Sequence, residues 1–136
     1  MPKPHPVDIG LLVLRVGLGA MMLFHGVPKL LGGPQKWEKL GGAMTHVGID
    51  VWPTVWGFAA ALTETLGAVL LAVGLLTRLN ASLLLATMVV AAAMHLGKGD
   101  GVAGASHAIE DGIAFLTLLL AGGGRYSVDA WWRGRR

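Results

Sequence analysis

Four long apolar stretches, separated by turn-forming or charged residues, organise the chain. The first covers residues 9–31 and stops at Gly32, Gly33 and Pro34. The second covers 52–76, with Pro53 suited to the first turn of a helix. The third, 79–96, follows after only Thr77 and Arg78, and the fourth, 106–122, is preceded by the glycine-rich segment 97–104. Each approaches the ~20 residues that cross ~30 Å of hydrocarbon at 1.5 Å per residue. Lipid gives backbone groups no partner outside the helix itself, so these stretches are predicted as helices and not strands. The expected fold is all-α: an integral membrane four-helix transmembrane bundle, one domain over residues 1–136.

The connection between the first two helices is long for a helical hairpin. Within it Trp37, Leu40, Met44 and Val47 recur at three- and four-residue steps among Lys36, Glu38 and Lys39. That spacing predicts a short helix lying on the membrane surface.

Composition agrees with the pattern. Hydrophobic residues make up 54% of the chain and charged residues 14%, against roughly a quarter charged in a soluble domain. The first apolar run is longer than the hydrophobic part of a secretory signal, lacks a clear small-residue cleavage site and contains Arg15, so it reads as a true membrane helix. The net charge of +3 does not point to nucleic acid, because no basic stripe with interleaved aromatics exists. The arginines instead gather beyond the last apolar run, where basic residues meet headgroups. With the N-terminus inside, Lys3, Arg78, Arg125, Arg133, Arg135 and Arg136 are cytoplasmic, against Lys29, Lys36, Lys39 and Lys98 outside. This bias predicts that both termini are cytoplasmic. There is no cysteine, which excludes thiolate chemistry within the chain.

Ionisable groups inside a membrane span are costly and mark functional candidates. Taking Arg15 as zero at about 100° per residue, Lys29 falls near ~−40° and His25 near ~−80°. Met22, Gly26 and the apolar Leu18 share that arc of the first helix and Gly19 borders it. Glu64 sits mid-way along the second helix among small residues. Arg15 lies roughly 9 Å, and Glu64 roughly 18 Å, from the cytoplasmic side by helical rise. An extended arginine covers much of that difference, so a buried Arg15–Glu64 ion pair is expected. Helix registry is the best-attested role of such a pair and the one adopted for it.

A second group collects toward the outer side: His25 and Lys29 on the first helix, His95 at the end of the third, and His107 and Glu110 at the start of the fourth. These five are the candidate proton-handling residues, with His25, His95 and Glu110 placed against a bound headgroup. A quinone head needs donors to its carbonyl oxygens and a group that exchanges protons, and imidazole and carboxylate supply both. Ligation of haem or a metal by the three histidines stays open, but no local spacing such as HExxH supports it and no metal site is assigned. A proton or solute pathway through Glu64, or a non-enzymatic scaffold built on Gly- and Ala-rich faces, is the alternative. Homo-oligomerisation is compatible with the same faces.

The chain resembles the DoxX family of membrane proteins over nearly its whole length. The resemblance rests on LRVGLGAMMLFHGVPKL with Arg15, His25, Gly26 and Lys29, and on Glu64 followed by GAVLLAVGLLTRLNA with Gly67, Gly74, Thr77 and Arg78. His95 near the end of the third helix belongs to it too. So does the closing LLLAGGGRYSVDAWW with Gly122, Gly124, Ser127 and Asp129. It implies a four-helix inner-membrane protein associated with redox chemistry. Some relatives are subunits of a thiosulfate:quinone oxidoreductase, and others accompany soluble redox enzymes. By analogy, the chain is expected to be an inner-membrane subunit that binds quinone and receives electrons from a partner protein.

Overall fold

Glycines set the distance between the first two membrane helices. The computed structural model describes residues 3–134. In it α1 spans Pro6–Leu31, α2 Pro34–Gly41, α3 Pro53–Val73, α4 Thr77–Gly97, α5 Gly101–Ala121 and α6 Val128–Arg133. Among the described residues there is no strand, and α1, α3, α4 and α5 are long and apolar enough to cross a membrane. The buried face of α1 is Arg15, Gly19, Met22 and Gly26, four- and three-residue steps along one side. A Cβ at Gly19 would lie 2.7 Å from the Ala68 carbonyl oxygen, and one at Gly26 would lie 2.6 Å from that of Glu64. Only glycine lets α1 and α3 approach so closely, the small-residue packing that replaces hydrophobic drive in lipid.

The four long helices form a bundle in which α1 packs along α3 and α4 along α5, with α3 against α4. The fourth side, between α1 and α5, is the loosest. Met22, Leu71, Leu84, Phe115 and Leu118 fill the middle.

The short helix of the first connection is present, but it is folded up against α3. Gly57 meets the Trp37 carbonyl and Gly41 meets that of Pro53 so closely that a Cβ at either would overlap it. Contacts at 37 with 57 and 41 with 53 mean that α2 runs antiparallel to the start of α3. Trp37 stacks edge-on to Phe58 at 4.8 Å and donates its indole N–H to the Lys29 carbonyl at 3.0 Å. A 3-10 segment, Gly42–Val47, then crosses to α4.

Of the boundaries that differ from expectation, two have a visible cause in glycine. The second membrane helix ends at Val73, not 76, because Gly74 adopts a left-handed φ of 76° and the Gly74 and Leu75 N–H groups close on Leu71 and Leu70. The fourth begins at Gly101, five residues early, so much of the segment expected to be linker is helix. Its glycines are placed at the break, with Gly99 and Gly101 at positive φ.

The end of the bundle carrying both termini is closed by hydrogen bonds between distant segments. Arg15 is fully buried. It donates to the Leu71 and Ala72 carbonyls at 3.3 and 2.6 Å, and to those of Gly123 and Tyr126 at 2.9 Å each. Leu71 and Ala72 belong to the last turn of α3, whose carbonyls carry the negative end of the dipole; the Gly74 N–H reaches only the first of them, and the guanidinium reaches both. One guanidinium thus satisfies oxygens that lipid could not. Asp129 accepts from the Leu76 and Thr77 N–H groups at 2.8 Å each, capping α4 and holding Leu76 at a left-handed φ of 50°. Its own N–H donates to the Gly74 carbonyl, Ser127 caps α6, and Asp8 accepts from the Arg125 N–H. Arg135 and Arg136, counted above toward cytoplasmic charge, lie outside the described residues.

Candidate functional site

The polar groups of the far end are brought together by the same helix register. A cavity of about 200 Å³ lies among α1, α3, α4 and α5. Its polar lining is His25 and Lys29 from α1, Glu64 from α3, His95 from α4, and His107 and Asp111 from α5. Met22, Met88, Ala91 and Ala108 form the apolar walls.

Within it Lys29 Nζ lies 2.7 Å from Glu64 Oε2. The Glu64 side chain is 3% exposed and that of Lys29 29%. A carboxylate so buried needs a charged partner, and lysine reaches it while its stem stays along the apolar surface. Glu64 sits in a wider π turn, Thr63–Gly67, inside α3, with the Thr65 hydroxyl donating to the Ala61 carbonyl. Such single π turns are frequent at functional sites.

Each of two histidines has its own carboxylate. His107 Nδ1 is 3.1 Å from Asp111 one turn along α5, and His95 Nδ1 is 2.8 Å from Asp100 in the α4–α5 turn. The His25 and His107 rings meet edge to face at 5.6 Å across the loose α1–α5 side. His25 is exposed there and the His107 side chain is 72% exposed, so both rings reach the surface between these helices. Among the described residues, no three His, Asp or Glu side chains group so as to hold a metal ion.

Two expectations are corrected. Glu64 pairs with Lys29, not with Arg15. Arg15 and Lys29 are fourteen residues apart on one helix, about 21 Å along the axis, and Arg15 is engaged seven and eight residues beyond Glu64, at Leu71 and Ala72. Glu110 is exposed and does not line the cavity. With α5 starting at Gly101 it is also beyond the first two turns, where the dipole favours a carboxylate. The neighbouring Asp111 takes the inward place. Its signal was available, since a histidine and a carboxylate four residues apart share one helix face. The other four expected residues, His25, Lys29, His95 and His107, do converge. The π turn left no mark in the sequence that pattern reading detects.

These features define a multi-pass helical membrane protein with an ionisable pocket embedded between its helices. The DoxX family model matches residues 10–97, and the chain belongs to the DoxX family. The match contains Arg15, His25, Lys29, Glu64 and His95, while His107, Asp111 and Asp129 lie beyond it. No curated protein and no solved structure matches the chain.

Proposed function

We propose that the chain is an inner-membrane subunit of a quinone-linked redox system, with the cavity holding the quinone headgroup as substrate. The observation carrying this reading is the convergence of Lys29–Glu64, His25, His95 and His107–Asp111 on one methionine-walled cavity. Reducing a quinone to a quinol takes two electrons and two protons. Lys29 and the imidazoles supply hydrogen bonds to the two carbonyl oxygens, and the histidine–carboxylate pairs supply and replenish protons. The electrons come from a soluble redox partner, because this chain has no cysteine with which to carry them by thiol–disulfide exchange.

Size and opening support the same reading. A volume of about 200 Å³ is below the usual range for whole drug-sized ligands. It suits a single ring whose hydrocarbon tail leaves through the loose side between α1 and α5. The apolar layer of Met22, Leu71, Leu84, Phe115 and Leu118 separates the cavity from the Arg15 end, which favours a dead-end pocket over a continuous proton or solute path. With both termini cytoplasmic, the pocket faces the outer half of the bilayer.

The test is direct binding. Purified protein in nanodiscs, titrated with a short-tailed quinone, is expected to bind with one site, and Glu64→Gln and His107→Ala to weaken binding at least tenfold. Equal binding by wild type and both variants, or a Soret band in the purified protein, overturns the proposal.

A further inference from the structure

A second cleft, of about 430 Å³, lies at the opposite end of the bundle and has no part in the site above. It is bounded by the start of α4, the end of α5 and α6. We propose that it binds the phosphodiester headgroup of an anionic phospholipid.

Charge and free donors carry the argument. Arg78 and Arg133 reach the cleft from two different helices. Arg78 spends one N–H on the Leu120 carbonyl at 3.2 Å, and Arg133 spends its Nε–H on the Asp129 carbonyl at 3.2 Å. The remaining guanidinium N–H groups have no partner among the described residues. The single acid in the cleft, Asp129, accepts from the Leu76 and Thr77 N–H groups and offsets part of the Arg133 charge, so two arginines against one carboxylate leave the cleft with a net positive charge. Two planar forks in such a cleft match a phosphate, which accepts from several directions at once. The floor is backbone: Gly122 and Gly123 line it, and a Cβ at Gly122 would stand 3.5 Å from Arg78 Nε.

Position selects a lipid as the source of that phosphate. Trp132 lines the same cleft and is 58% exposed, the place and residue type of an interfacial belt. Leu79 and Leu83 on α4, and Leu116 and Leu120 on α5, stay exposed on the two helices that flank the cleft. A headgroup held between the arginines therefore has apolar surface beside it for its acyl chains. Basic pockets between membrane helices recognise anionic headgroups in this way.

The experiment uses the full chain in nanodiscs of phosphatidylcholine, with phosphatidylglycerol added as the probe. Native mass spectrometry of released protein is expected to show one retained phosphatidylglycerol. Arg78→Gln with Arg133→Gln is expected to weaken retention roughly thirty-fold, at about fivefold per arginine near a membrane surface. Arg125→Gln, outside the cleft, is expected to leave it unchanged. A second measurement needs no arginine variant: brominated phosphatidylglycerol should quench wild-type fluorescence more than brominated phosphatidylcholine, and Trp132→Phe should remove the difference. Equal retention by the double variant, equal quenching by the two lipids, or displacement of the lipid by millimolar inorganic phosphate, which would mark a free-anion site, overturns the proposal.

Discussion

Lys29 on α1 and Glu64 on α3 form a 2.7 Å ion pair at the wall of a cavity, beside the glycine that lets their helices touch. Because Gly26 presses on the Glu64 backbone, the pair and the helix register are one feature. Breaking one half leaves a charge stranded in low dielectric. Lys29→Met is expected to lower stability by about 3 kcal/mol, tempered by the partial exposure of its ammonium. The double variant Lys29→Met with Glu64→Leu should recover most of the loss. Reversible unfolding in mixed micelles measures both.

Glycines at contacts and glycines in the open should respond oppositely. Gly57→Ala forces a methyl onto the Trp37 carbonyl and is expected to cost about 1–3 kcal/mol. Gly10→Ala, where the new methyl meets nothing within 4 Å, should stabilise by up to about 1 kcal/mol. Paired thermal melts of the two variants check the contrast. A loss at Gly10 equal to that at Gly57 would count against the close packing of α2 on α3.

Arg15→Lys is the sharper test of the terminal-end closure. Lysine keeps the charge but replaces a planar fork by a point donor, so it cannot hold the Leu71, Ala72, Gly123 and Tyr126 carbonyls together. A loss of about 2 kcal/mol or more is expected, on the scale of one buried, charged hydrogen bond left unmade. Proteolysis after residue 122 should accelerate in the variant, which gel analysis of timed digests reports.

The same closure has a pH dependence. Burial raises the Asp129 carboxyl, but hydrogen bonds from Thr77 and Leu76 and the charge of Arg133 outweigh it, leaving it below the ordinary carboxylate value. A carboxyl depressed in the folded state adds stability above its unfolded value, near 3.9, and that contribution is lost as pH falls through the folded value. Melting temperature should therefore hold through neutral pH and fall below about pH 4. Asp129→Asn should be less stable at pH 7 and flatter in acid.

Much of this was legible in the chain. The four spans follow from apolar runs, and the inward face of α1 from the phase of Arg15, Met22 and Gly26. His25, Lys29, His95 and His107 could be gathered because depth and phase both place them together. What failed was the offset between helices. Counting from the ends set Arg15 opposite Glu64, whereas Gly19 and Gly26, meeting Ala68 and Glu64, fix how far α1 slides along α3. Likewise, Glu110 and Asp111 both follow His107 within about one turn, and only the packing of α5 shows that Asp111 takes the inward place beside it.

The oxygens that Arg15 satisfies carry a consequence for how the protein is made. Gly123 follows Arg15 by 108 residues, so the guanidinium enters the bilayer long before that carbonyl has been synthesised. Until then it has only the end of α3 to hold. Insertion of the first helices is thus provisional, and the late arrival of residues 123–129 works as a completion step.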